Sequence, residues 1–199
     1  MPKKSGPEVE IFNAAQKLFL KKGYNGTSLR DIATEANTSN TMVNYYYRSK
    51  DKLFIQVFGE VFSRQYSKFI AILLDSDIDI YEKINKAVAF YGDFLRDDPS
   101  VAIFLIREIN RDPAMIGKCI QELTQPELAC FLNDQIQNEI CQGRMRDIPA
   151  HVLVINLLSL CIFPVIAKPI IQNAICIDDI AYSMQQKAVA DFLIKSILP

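Results

Sequence analysis

Residues 29–53 read LRDIATEANTSNTMVNYYYRSKDKL, and between Glu35 and Asp51 they contain no carboxylate. Amides, hydroxyls and three consecutive tyrosines fill that interval instead. Take Asn40 to Tyr47 as a helix. Val43 and Tyr47 stand four apart on one face, predicted to pack toward Ile32 and Phe19. At ~100° per residue, Thr41 and Tyr45 fall opposite, flanked by Asn40 and Asn44. That outward face pairs with acceptor-lined base edges and phosphate oxygens better than with cations. On an arbitrary surface helix the same face would simply be solvated.

Positioning this face requires particular neighbours. The pattern predicts a short helix from Ser28 to Ala36, with inner face Leu29, Ile32, Ala33 and Ala36. A polar turn, Asn37–Thr38, follows, and Ser39 caps the next helix. Two short helices joined by a tight turn form a helix-turn-helix, here residues 28–47, whose second helix enters the DNA major groove. A first helix is expected from about Pro7 to Lys22, with Ile11, Ala14, Ala15, Leu18 and Phe19 on one face and Gly23 just past its end. Ser49 caps a long fourth helix running to about Leu74.

Helical signals continue to the end, and no alternating strand pattern is found. Asp79 and Glu82 have capping-box spacing, opening a helix to about Arg96. Asp98–Pro99 and Asp112–Pro113 each offer a cap followed by proline at the first helical position. Thr124 and Glu127 repeat the capping-box spacing, so the helix there breaks and restarts, ending at Gly143. Another helix is expected from about Pro149 to Ala167, bounded by Pro169, and a last one from Asp178–Asp179 to Leu198. The chain is therefore read as all-α, with about nine helices. Residues 5–53 are expected to form the DNA-binding head, and 54–199 a helical body; the ligand-binding and dimerisation roles of that body are implied by the resemblance described below.

The 199 residues carry a net charge of −1, which argues against a protein that coats nucleic acid. Residues 1–53 carry 9 Lys/Arg against 5 Asp/Glu, and the remainder 13 against 18. A basic head on an acidic body suits local phosphate contact. Five cysteines, at 119, 130, 141, 161 and 176, form no CxxC, and the chain opens without an apolar stretch. A reduced, cytoplasmic setting is expected. The apolar run Val152–Ile171 is interrupted by Asn156, Ser159, Pro164, Lys168 and Pro169, and reads as a buried helix with no membrane partner.

An ordered series carries a resemblance. It runs Ala14–Ala15, Leu18–Phe19, Gly23–Tyr24, Thr27–Ser28, Ile32–Ala33, Tyr45–Tyr46–Tyr47 and Ser49–Lys50. In order and spacing it resembles the N-terminal domain of the TetR family of bacterial transcriptional regulators, densely over residues 9–55. Two positions depart. Ala36–Asn37–Thr38 replaces the usual Ala-Gly-Val, where asparagine tolerates a left-handed turn. Tyr47 replaces the commoner phenylalanine, and its hydroxyl needs a partner if buried.

Positions matching the family, together with the helix geometry, suggest roles. Thr41 and Asn44 read base edges, with Ser39, Asn40 and Met42 beside them. Tyr45 and Tyr46 place hydroxyls on phosphates. Thr27 and Ser28 offer backbone N–H groups where the second helix begins, Lys50 supplies a point charge, and Lys3 and Lys4 make either a basic arm or a merely solubilising tail. For the body the resemblance implies a ligand cavity among helices five to eight, with candidates Phe90, Tyr91, Phe94, Phe104, Ile109, Phe131 and Phe163. It also implies a homodimer through the last two helices, with candidates Ile155, Ser159, Ile162, Met184, Ala188 and Phe192. The implied protein is a repressor that leaves an inverted-repeat operator when an unidentified small molecule binds.

No catalytic set, cofactor or metal is expected. His151, the single histidine, has no partner nearby in sequence for a Ser–His–Asp arrangement. Cys119, Cys130 and Cys141 recur every eleven residues as small apolar residues more readily than as a redox or metal sensor. The reading from another class is an all-α ligand-binding module or enzyme without DNA binding.

Overall fold

The structure, a computed structural model, describes residues 6–124, 127–176 and 178–199. The expected arm at Lys3 and Lys4 lies outside the described residues, as does the interval between Thr124 and Glu127. Eleven α-helices and no strand are found among the described residues.

Local chemistry sets the helix ends. α1 (Pro7–Lys22) begins with proline in its first turn and stops at Gly23, whose N–H returns to the Phe19 carbonyl. α2 (Leu29–Glu35) starts at a capping box formed by Ser28 and Asp31. α3 (Asn40–Tyr47) is capped by Ser39, which accepts the Met42 N–H. α4 (Lys50–Leu74) is preceded by Ser49, whose hydroxyl accepts the Lys52 N–H at 3.2 Å. Asp79 caps α5 (Ile80–Asp97), and Asp112 caps α7 (Pro113–Leu123), with α6 (Pro99–Arg111) between them. α8 spans Glu127–Cys141, α9 Ala150–Ile166, and α11 Asp179–Ile197, the last capped by Asp178.

One helix escaped the sequence reading. α10 (Lys168–Ile175) starts where an ending was expected, because Pro169 falls in its first turn, where no N–H is needed. It leaves α9 at a bend of 78°. No single described helix is long and apolar enough to cross a membrane.

The chain forms two compact units. The first joins residues up to Gln65 with Ser100–Thr124. α1 packs on α2 and α3, and α2 on α3. Ile11, Ala15, Phe19, Ile32, Val43, Phe54, Phe58, Phe104 and Ile116 are buried. Phe54 meets Phe19 edge-on at 5.1 Å and Phe104 at 6.1 Å, so α6 supplies a ring to this core. The second unit joins Tyr66–Pro99 with Gln125–Pro199, and packs α5 on α9 and α11 and α8 on α9. Phe69, Leu73, Ile84, Leu132, Ile136, Leu153, Leu157 and Leu193 are in its core.

Candidate nucleic-acid interface

The turn between α2 and α3 is closed by backbone bonds. Asn37 has φ 49°, the left-handed value expected where the family carries glycine, and Thr38 N–H returns to Ala33 O at 2.9 Å. Val43 and Tyr47 then face inward and are buried. The Tyr47 hydroxyl donates to Glu8 O at 3.1 Å, which ties α3 to α1. Burial and the Glu8 charge push that phenol well above its ordinary range.

The opposite face of α3 is open. Asn40, Thr41 and Asn44 are exposed, and Tyr45 is 74% exposed. Tyr46 is half-buried and meets Tyr45 edge-on at 5.2 Å. Ser39 spends an acceptor on Met42 N–H at 3.3 Å and keeps its own proton to donate. Arg48 closes the helix at φ 62°, an uncommon conformation for a residue other than glycine.

The start of α2 differs from expectation. Thr27 is 2% exposed, and its hydroxyl donates to Gly23 O at 2.9 Å and Leu18 O at 3.3 Å. Its own N–H goes to Tyr24 O at 3.3 Å. Thr27 thus holds the turn together and presents no group outward. Ser28 N–H and hydroxyl both donate to Asp31 Oδ2, at 2.9 and 2.7 Å. These bonds hold the Asp31 carboxyl below its ordinary pKa. A carboxylate therefore already occupies the terminus that a phosphate was expected to fill.

Lys50 is half-buried, with its ammonium 4.0 Å from the Tyr24 ring centroid. Desolvation lowers its pKa, opposed by the Asp51 charge. The Arg111 guanidinium lies 4.1 Å from the same centroid, and the Tyr24 hydroxyl donates to Asp51. Burial first, then the Asp51 bond, push the Tyr24 phenol up to about 12. Tyr24 N–H donates to Glu108 Oε1 at 3.1 Å, and Arg111 Nε donates to Glu108 Oε2 at 2.7 Å. This group was missed in the sequence. Its only sign there is Arg107, Glu108 and Arg111 following the apolar run VAIFLI, with Glu108 and Arg111 three apart on one helix face.

In the second unit, a cavity of about 20 Å³, room for one water, is lined by Phe69, Leu73, Lys83, Leu132, Ile136 and Leu157, among others. None of the seven expected pocket residues lines it. Phe104 is fully buried among the rings of the first unit, Ile109 is exposed there, and Phe163 is 61% exposed. Phe90 and Phe94 stack on each other at 6.3 Å, and Tyr91 meets Phe69 at 5.2 Å. Phe131 and Tyr91 each touch a residue that lines the cavity: the Phe131 ring lies 4.5 Å from the ammonium of fully buried Lys83, and Tyr91 packs on Phe69. Lys83 Nζ donates to Leu73 O at 2.6 Å, placing a cation at the end of α4. Ile155, Ser159, Met184, Ala188 and Phe192 are exposed on α9 and α11, and Ile162 is half-buried. His151 is exposed in the first turn of α9.

Known proteins align with this geometry. Residues 11–57 match the bacterial regulatory proteins of the tetR family. The HTH-type transcriptional repressor NicS of Pseudomonas putida is 32% identical over 98 residues, 49% of this chain and 46% of that protein. The chain thus spans about half the length of that relative. A TetR-family transcriptional regulator from Haemophilus influenzae superposes with a TM-score of 0.64 at 20% identity, covering 97% of each chain. The regulator FadR of Bacillus subtilis, in complex with stearoyl-CoA, superposes with a TM-score of 0.68 at 16% identity, covering 95% of this chain and 98% of that one. The head thus matches that of tetR-family regulators over residues 11–57, and the chain shares the fold of these solved regulators over nearly its whole length.

Proposed function

We propose that the protein is a homodimeric, sequence-specific DNA-binding transcriptional regulator, a repressor released from an inverted-repeat operator by a small molecule. The observation that carries this reading is the outward face of α3. Exposed Asn40, Thr41, Asn44 and Tyr45 stand on a helix whose other face is buried and bonded to α1. Asn40, Thr41 and Asn44 read bases, Tyr45 and Tyr46 reach phosphates, and Lys50 adds charge. Ser28 and Ser39 border the contact, and Thr27 supports it from within. A small molecule is the expected trigger, by analogy with the FadR complex with stearoyl-CoA. It acts by favouring one of two head arrangements. A second copy covers exposed Ile155, Met184 and Phe192, since apolar side chains grouped on one surface mark an association site.

The outward face of α3 carries no Arg or Lys, the usual bidentate partners of guanine. Its asparagine amides pair with adenine N6 and N7, and the Thr41 methyl meets that of thymine. Selection from a random duplex pool should return a two-fold symmetric site with A·T pairs in each half. Affinity for it should fall steeply with salt as counterions are released. A site without two-fold symmetry, half-sites that are G·C throughout, or a flat salt response would overturn the reading.

A further inference from the structure

Glu108 is 1% exposed, and its carboxylate joins parts of the first unit far apart in sequence. Oε1 accepts from Tyr24 N–H and from Arg107 Nε at 3.0 Å, and Oε2 accepts from Arg111 Nε. Arg107 also donates through Nη2 to Phe19 O at 3.0 Å, at the end of α1. One carboxylate and one guanidinium thus hold the last turn of α1 and the turn beyond it. Between those anchor points lies Gly23, at φ 74°. A Cβ there would stand 2.8 Å from Arg107 Nε and 2.9 Å from Glu108 Oε1, so a side chain at 23 would both strain the backbone and push these two groups aside.

The anchored turn carries the Tyr24 ring, and the ring carries Lys50 and Arg111. Two cations about one ring repel each other. Asp51 and Glu108 supply the compensating charge, and Glu108 does so while fixing both the ring's backbone and the second cation.

We propose that Glu108 is a positioning residue for DNA binding: it sets where the Lys50 ammonium stands without touching DNA itself. The inference rests on the reading of the head as a DNA-binding domain. A carboxylate that merely stabilised the fold would lower stability whatever residue stood at position 50. A positioning residue acts through Lys50, so its effect disappears when Lys50 is absent.

The test uses the full chain and the duplex selected by the wild type, with affinity measured by fluorescence anisotropy across a salt series. Glutamine at 108 keeps the side-chain size and an oxygen for Tyr24 N–H but loses the charge that pairs with Arg111. Glu108→Gln should weaken binding on the order of tenfold. It should also lower the magnitude of the salt slope by about one, as expected for one lost phosphate contact. In a Lys50→Ala background it should add less than about twofold. Where Glu108→Gln fails to fold, as judged by circular dichroism, Tyr24→Leu replaces it. That variant removes the ring under Lys50 at a half-exposed position and should show the same loss and the same dependence on Lys50. Unchanged affinity and slope, tighter binding, or a loss that adds fully to that of Lys50→Ala overturns the proposal. Additive variants in a protein that binds DNA defeat only the role of Glu108. A wild type that selects no DNA defeats the DNA-binding reading and this inference with it.

Discussion

Individual side chains of the head divide by where their polar atoms point. Asn44 is exposed on α3, and Lys50 ends in a point charge. Asn44→Ala should relax preference at one base position of the operator and leave other positions unchanged. Lys50→Ala should weaken all sequences alike and reduce the salt slope by about one. Anisotropy titrations on a panel of single-base variants separate the two outcomes. Thr27 has the opposite orientation. Thr27→Val should cost about 1–3 kcal/mol of folding stability in urea denaturation, because two backbone carbonyls lose their buried donor. DNA affinity per folded molecule should stay the same. A stable Thr27→Val protein with weakened DNA binding would return Thr27 to the contact surface.

At the scale of elements, the caps were legible because capping is local chemistry. Ser39, Ser49, Asp79 and Asp112 each accept an N–H from the helix they were expected to cap. The face of α3 was legible for the same reason: Val43 and Tyr47 are four apart. The α2–α3 turn was legible because Asn37 stands where a left-handed residue is needed. What the sequence concealed depends on packing between distant segments. Glu108 meets Tyr24 across 84 positions, and no periodicity links them. Aromatic residues of α5 and α6 looked alike as pocket candidates, yet Phe104 packs with the rings around Phe54 while Tyr91 packs on Phe69. Exposed Asp31 in the α2 cap also carries a prediction. Its carboxyl is held below the ordinary 3.8 first by the Ser28 hydroxyl and then by the Ser28 N–H. A depressed folded pKa means stability that is present above the unfolded value and lost as pH falls through the folded one. Acid titration should therefore remove this contribution below roughly pH 4. Asp31→Asn should flatten that part of the stability–pH curve. Identical curves would mean that the cap survives protonation.

For the molecule as a whole, the proposed association rests on the second unit's surface. Phe192 is 62% exposed on α11, and Met184 is exposed two turns earlier on the same helix. Phe192→Glu should convert a dimer to monomer or to insoluble protein, because a buried charge without a partner is costly. Sedimentation or light scattering reads the outcome directly. A soluble, folded dimer would leave the association to α9 and remove Phe192 from it. Loss of the dimer should also weaken operator binding far more than loss of any single contact, since a two-fold site engages both heads at once.

The interleaving of the two units sets an order of events during synthesis. The first unit takes rings and ion-pair partners from Ser100–Thr124, and the second is completed by the final 75 residues. A nascent chain that has emerged only to Leu53 has made every proposed DNA-contacting side chain, yet it lacks Phe54, Phe58, Phe104 and Glu108. The head therefore cannot close its core in the usual N-terminal-first manner. The core seen in the structure is complete only once α6 and α7 have emerged, after the start of the second unit. A polypeptide cut after residue 53 would for the same reason carry the recognition surface without the packing that shapes it.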